Sequence, residues 1–356
     1  MLSLGIETSC DETALALVEE GQILGEVLFS QVDKHSIFGG VVPEMASREH
    51  LIKLGPLWGK LLRHTGRRPE EIRIVAVARG PGLLGCLLVG LGFAKGLSLG
   101  LGSLLVGVNH LHAHLLAPGL EQKLEFPALG LLVSGGHTSI YRIDSSVDFK
   151  LLGRTLDDAA GEAFDKTARA LNLPYPGGIY IDRFSGYAPP DPDMFPRPYL
   201  DNKNLDFSFS GLKTAMVNHI RAHPELMLKS PLEATADYRP NEQLARVCSS
   251  FSLAVADTLV IKLRRAVRQS GIQNVILAGG VAANSMLRDR ISRLARDMDL
   301  RLIMPGMKLC TDNASMIAYC GEILAGQGLH HSLELEAVPR GQNVPWDYLK
   351  LKKNAR

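Results

Sequence analysis

The chain has 356 residues, a formal net charge of +2, 46% hydrophobic and 21% charged residues. Its length exceeds what one hydrophobic core usually supports, so two domains are expected, and the composition excludes a disordered or fibrous chain. Near-neutral charge leaves any nucleic-acid contact to local patches, and five scattered cysteines without a CxxC pair exclude a disulfide framework or a cysteine zinc site.

The first residues, MLSLGIETSCDE, carry no basic region ahead of a long apolar stretch, so no signal peptide is expected and the location read from the sequence is cytoplasmic. LGIETSCDETALALV at 4–18 is an apolar run, a polar turn and a second apolar run, which predicts a hairpin. Helical spacing follows at 47–62, then a strand, IVAVA, at 74–78. RGPGLLG at 79–85 opens a glycine-rich apolar stretch that runs to 108 and is long enough for a bilayer span. Its seven glycines and central Lys95 predict instead a buried, glycine-packed helix and then a strand, SLLVGV. No membrane association is expected.

A second hairpin, LGLLVSGGHTSIYRI at 129–143, repeats the layout of the first about 125 residues further on and suggests a duplicated half. DDAAGEAFDKTARALNL at 157–173 predicts a helix ending before Pro174. An excursion from the core fold is expected near 185–215, where Pro and Asp are frequent and periodicity is lost. The helix at 241–270, the strand NVILAGG, the helix at 284–298, the strand RLIMP and a last helix from 312 to about 326 complete an alternation that implies sheets covered by helices. The boundaries expected are a first half at 1–125 completed by 305–340, a second half at 126–304, and a loosely held basic tail at 341–356.

Asn109 is a good N-cap for the short helix HLHAHLLA, which places His110 and His114 on one face, ~5–6 Å apart at Cβ and suited to one metal ion. The same pair equally suits a surface or packing role. Asp312, in the word CTDN, would add a carboxylate and leave open positions, giving a Lewis-acid site; alternatively it is only a helix cap. No Glu lies inside this HxxxH, so the base of a zincin protease is missing. Three glycine turns, SGGHT at 134–138, YPGG at 175–178 and AGGVAAN at 278–284, offer bare backbone to a nucleotide, with Asn284 near a helix start. Asp165 and Asp182 suit a ribose diol, or are solvated helix charges.

Together these words resemble one family. IETSCDET at 6–13, GGVVPEMASREH at 39–50, GPGLLG at 80–85, LLVSGGHT at 131–138, DDAAGEAFDKTA at 157–168, YPGG, FPRP at 195–198, DFSFSGLKT at 206–214, LAGGVAAN at 277–284 and CTDN at 310–313 are similar to the TsaD family of bacterial tRNA N6-adenosine threonylcarbamoyltransferases. The resemblance implies an α/β fold of duplicated ribonuclease-H-like halves, related to actin, sugar kinases and Hsp70, with a central cleft. It also implies one divalent ion, Fe(2+) or Zn(2+), on His110, His114 and Asp312. Nucleotide contacts fall on Leu132, Val133, Ser134, Gly135 and Gly136, and on Asp165, Gly178, Asp182 and Asn284; Asp11 and Glu12 match an acidic pair needed for activity. His112 departs from the pattern, since bacterial members usually carry Glu there, and HLHAH looks like the word in carbamoyltransferases that mature hydrogenases.

The activity so implied is transfer from threonylcarbamoyl-AMP to the exocyclic amine of the adenosine beside the anticodon, in tRNAs reading ANN codons. A TsaB-like paralogue and a TsaE-like ATPase are the implied partners. The tRNA grip would come from Lys262, Arg264, Arg265 and Arg268, or from Lys350, Lys352 and Lys353. Rival readings are an ATP-dependent phosphotransferase or an O-carbamoyltransferase of the same fold, and a noncatalytic subunit, which would lack the metal residues.

Overall fold

The computed structural model describes residues 1–228 and 238–351, so Lys352 and Lys353 of the expected tail lie outside the described residues. The chain forms two compact units, Met1–Leu124 with the chain from Thr311 on, and Glu125–Cys310.

In the first unit β1 (Ser3–Glu7), β2 (Glu12–Glu19) and β3 (Gln22–Ser30) form an antiparallel meander. A short helix, α1 (Val32–Ser36), and the long α2 (Pro43–Thr65) lead to β4 (Ile74–Gly80), α3 (Leu84–Leu101), β5 (Leu104–Asn109) and α4 (His110–Leu116). β4 runs parallel to β1 and β5 parallel to β4, so the sheet order is β3-β2-β1-β4-β5.

The second unit repeats this wiring. β6 (Ala128–Val133), β7 (Thr138–Ser145) and β8 (Asp148–Arg154) form the meander, and α5 (Ala160–Ala170), α6 (Gly177–Ser185), α7 (Ser210–Ala222) and α8 (Glu242–Ser270) follow. β9 (Asn274–Ala278), α9 (Ser285–Asp297) and β10 (Arg301–Ile303) close the sheet in the order β10-β9-β6-β7-β8, with β9 parallel to β6. The duplication suggested by the two hairpins therefore extends to five strands each. The chain then supplies α10 (Ala314–Gly326) and a small ribbon of β11 (Leu329–His330) and β12 (Leu349–Lys350) to the first unit.

Alternation along the strands sorts side chains onto two faces of the first sheet. Leu4, Ile6, Leu15, Leu17, Val75 and Val77 join Leu54, Leu57 and Leu61 of α2 and Leu91 of α3 in one core. The opposite face is made of small residues, and α10 lies close upon it: Ala14 and Ala16 pack on Ala314, and a Cβ on Gly321 would fall 2.3 Å from that of Ala76. Ser3 donates its hydroxyl hydrogen to the Ala318 carbonyl at 2.9 Å. Glu7, two residues beyond Gly5, shares this parity.

Several expectations change. The third strands, β3 and β8, lie on sheet edges with many half-exposed residues, so no clean apolar alternation marks them. YPGG opens the helix α6 and is more than a turn. α3 buries Cys86, Leu87, Leu91 and Ala94 but exposes Leu88 at 55% and Leu99 at 71%, so it is a surface helix with one buried face. α3 and α8 are both long and apolar enough to cross a membrane. α8, however, contributes Val247, Cys248, Phe251, Val255, Leu259 and Leu263 to the core of the second unit.

The excursion is tied down. Lys262 on α8 is buried and donates to Asn202 Oδ1 at 2.6 Å and to the Asn204 carbonyl at 3.1 Å, while Arg265 donates to the Leu200 and Asn204 carbonyls. Lys262 is therefore not an exposed tRNA contact, which corrects that member of the proposed basic cluster, and half-buried Arg265 is engaged by the excursion. Residues 340–351 are also more firmly held than expected. Buried Arg79 of β4 pairs with Asp347 through both nitrogens, and Tyr348 donates its phenol hydrogen to the Gly107 carbonyl at 2.8 Å.

Candidate metal centre and nucleotide turns

β5 ends at Asn109, whose side-chain oxygen accepts from the backbone nitrogens of Leu111 and His112 and starts α4. This cap fixes the face on which His110 and His114 sit. Their rings meet edge to face with centroids 4.7 Å apart. Asp312 stands just before α10 but is not its cap. Asn313 takes that role, accepting from Met316 N at 2.8 Å, and Glu26 of β3 accepts from Ala314 N and Ser315 N. Asp312 is thereby left to face the histidines: Oδ1 lies 3.0 Å from His114 Nε2 and 3.5 Å from His110 Nε2.

One ligand atom from each of His110, His114 and Asp312 falls within 4.8 Å of the others. Both histidines are buried. The Nδ1 of His110 is engaged by Glu7 Oε2 at 3.0 Å. Burial opposes charge on the His110 imidazole, but Glu7 and Asp312 outweigh it and push it up to about 9. Two imidazole nitrogens and one carboxylate oxygen suit a borderline divalent ion, and three protein donors leave coordination positions for other oxygens. His114 Nδ1 is buried without a hydrogen-bond partner among the described residues. His112 lies outside the triad, and burial pushes its imidazole down to about 4, so it is neutral.

The acidic pair occupies the turn between β1 and β2. Asp11 is nearly buried, and burial raises its carboxyl above the usual range. Glu12 accepts from Ser30 Oγ at 2.8 Å, while Oε2 is enclosed without a hydrogen-bond partner among the described residues. Burial, reinforced by the neighbouring Asp11, Asp312 and Glu7, pushes Glu12 up to about 8. His50 of α2 holds the turn in shape, its Nε2 donating to the Cys10 carbonyl at 2.9 Å and its Nδ1 accepting from Thr13 Oγ1 at 2.8 Å. Sequence reasoning assigned no role to His50 or Glu7. The available signal was an ionisable residue at the end of the apolar strand SLGIE, at a parity that points it inward.

In the second unit Leu132 and Val133 end β6, and Ser134, Gly135 and Gly136 form the turn to β7. Its shape is set by Ser134 N donating to the His137 carbonyl at 2.8 Å. Gly279, at φ 93°, brings the β9 turn so close that a Cβ there would lie 2.5 Å from the Val133 carbonyl oxygen. Gly135 and Gly280, by contrast, have nothing within 4 Å of a would-be Cβ, so each presents open backbone. Asp182 Oδ1 accepts from Asn284 Nδ2 at 2.9 Å, Ser285 N at 2.9 Å and Ser285 Oγ at 2.7 Å, and Asn284 caps α9 through Leu287 N. Asp165 Oδ1 accepts from Gly177 N at 2.8 Å, beside Gly178 at the start of α6. Asp165 and Asp182 thus brace glycine turns and are not simply solvated charges.

Residues 22–319 match the family model described as TsaD, tRNA N6-adenosine threonylcarbamoyltransferase. The chain belongs to the TsaD family. It is 61% identical over 354 residues to the protein of that name from Nitratidesulfovibrio vulgaris (strain DP4), covering 98% of each chain. It is 53% identical to that of Lawsonia intracellularis (strain PHE/MN1-00), covering 99% of this chain and 100% of that one. Among solved structures, HypF of T. kodakarensis superposes with a TM-score of 0.56 at 14% identity, over 91% of this chain and 47% of that one. Component A of (R)-2-hydroxyglutaryl-CoA dehydratase from Acidaminococcus fermentans gives 0.51 at 12% identity, over 92% and 99%. These two likenesses are of fold alone, and they place this TsaD chain in the actin, sugar kinase and Hsp70-like class.

Proposed function

We propose that the chain transfers the threonylcarbamoyl group of threonylcarbamoyl-AMP to the exocyclic amine of the adenosine adjacent to the anticodon, in tRNAs reading ANN codons. The observation that carries this reading is the convergence of buried His110 and His114 with half-buried Asp312 in a chain that matches, over nearly its whole length, proteins named for that transfer.

The adenosine amine is a poor nucleophile, because its lone pair is delocalised into the ring, so the carbonyl it attacks must be activated. A divalent ion, Fe(2+) or Zn(2+), held by His110, His114 and Asp312, would supply Lewis-acid stabilisation of the charge developing on the substrate oxygens. The N6–carbon bond forms, the bond from the carbamoyl carbon to the phosphate oxygen breaks, and AMP leaves with the electron pair. One N6 proton must then be accepted. Glu12, whose pKa of about 8 lies near the working pH, suits that role, with Asp11 beside it. The adenylate is the ligand assigned to the second unit: its phosphate to the backbone of Leu132–Gly136, its ribose to Asp165 and Asp182, and its base to Gly178 and Asn284.

The exposed apolar residues of α3, Leu88 and Leu99, and Leu51 and Ile52 of α2, support docking of a TsaB-like paralogue. A TsaE-like ATPase completes the expected set, and the cytoplasm, where tRNA resides, is the assigned location. The test is transfer of labelled threonine to tRNA from supplied adenylate, with and without these partners. Label in tRNA supports the reading; no label even with both partners sinks it.

A further inference from the structure

We infer that Glu7 is a positioning residue that fixes the tautomer of His110 and thereby turns the His110 Nε2 lone pair toward the metal. The inference rests on the metal reading given above.

The parity of β1 puts Leu4 and Ile6 into the core and leaves Ser3, Gly5 and Glu7 on the face covered by α10. Glu7 is the last residue of that strand and is fully buried. No Lys or Arg pairs with it among the described residues; its ion-pair partner is His110. A carboxylate enclosed in this way must be satisfied by hydrogen bonds. Ser9 N donates to Oε1 at 2.6 Å, and His110 Nδ1 lies 3.0 Å from Oε2. An ionised carboxylate only accepts, so Nδ1 carries the hydrogen and the remaining ring nitrogen is the one free to ligate. Ser9 Oγ also approaches Nδ1, but at 3.4 Å, and a hydroxyl imposes neither tautomer.

The two oxygens of Glu7 therefore do different work. Oε1 holds the turn that carries Asp11 and Glu12, and Oε2 sets the imidazole. Such carboxylate–histidine–metal arrangements typically govern affinity by ~10–100-fold.

Glu7→Gln separates the electronic role from packing, because the side chain keeps its size. Ser9 N still requires an oxygen, so the amide oxygen stays on it and the NH2 faces His110. Nδ1 must then accept, the ring hydrogen moves to Nε2, and the lone pair no longer faces Asp312 and His114.

The experiment titrates the full-length wild type and the Glu7→Gln variant with zinc against a competing chelator, and records 15N imidazole spectra of the zinc-loaded wild type. Zinc affinity lower by ~10–100-fold in the variant, with a slowly exchanging Nδ1 hydrogen on His110 in the wild type, is the expected result. Equal affinity in the two proteins overturns the assignment and leaves the metal reading standing. Should the variant fail to fold, the wild-type spectrum decides: His110 bound through Nδ1, or without an Nδ1 hydrogen, overturns it. A wild type that binds no zinc overturns the metal reading and this inference together.

Discussion

Gly5 of β1 and Ala314 of α10 approach so closely that a Cβ on Gly5 would lie 2.1 Å from the Ala314 carbonyl oxygen. The seat of α10, and with it the position of Asp312, depends on this absent side chain. Gly5→Ala should destabilise the protein by at least ~1–3 kcal/mol in chemical denaturation. Metal affinity should fall in the same variant although no ligand has changed. Unaltered stability and metal content would show that α10 is seated elsewhere.

His110→Ala and Asp312→Ala should each lose metal and transfer activity together while the fold survives, because the core of the first unit is built by its sheet and by α2 and α3. Metal analysis, circular dichroism and the labelled-threonine assay check the three parts. Full transfer after exhaustive chelation in either variant would leave catalysis to the acidic pair alone.

His112→Glu should keep metal content and most activity. At i+2 the side chain lies ~200° around the helix from the face shared by His110 and His114. Loss of metal in this variant would contradict that geometry.

Glu12 makes stability depend on pH. Its folded value, about 8, lies above the ordinary glutamate value of 4.5, so across that window the folded state holds a proton that the unfolded chain has released. The stabilisation is complete below the unfolded value and is lost as pH rises through about 8. Glu12→Gln has no such loss. In metal-depleted protein the variant should match the wild type near pH 4 and exceed it by ~2 kcal/mol near pH 9. Its transfer activity should fall over the whole range. A stability difference that does not change with pH would refute the titration.

Lys262→Ala should act on folding before it acts on RNA, because it empties the buried space of the Lys262 side chain and removes its hydrogen bonds to Asn202 Oδ1 and the Asn204 carbonyl. A loss of ~1–3 kcal/mol is expected by denaturant titration. The salt dependence of tRNA binding by the folded variant should be unchanged. A shallower salt slope would restore Lys262 to the tRNA contact surface.

Features written in local signals were legible from the sequence. Asn109 accepts the cap hydrogen bonds expected of it, and Asn241 and Asn284, which begin the next helical patterns, cap their helices in the same way. The two hairpins and the His110/His114 spacing follow from period and turn chemistry alone. Asp312, 198 residues from His114, is open in the sequence between a third ligand and a helix cap, and the family resemblance, not any local rule, favours the ligand. The edge strands β3 and β8 were hidden because water on one side removes the apolar alternation that marks a strand. Glu7 and His50 were hidden for a different reason: a single polar residue in an apolar strand or helix is unremarkable until its buried partner is known. The cations at 262 and 265 misled because a basic helix face looks the same whether it meets solvent or a loop of carbonyls.

The first unit is interrupted by the second, and this orders events during synthesis. A ribosome delivers β1 to β5 and both histidines early, then all of Glu125–Cys310, and only afterwards Asp312 and α10. The second unit is continuous and can complete its core while the first still lacks the helix that covers its small-residue face. A nascent chain halted between residues 114 and 312 holds two imidazoles without their carboxylate. Were the ion held as proposed, its full ligand set would be complete only after translation has passed through the second unit.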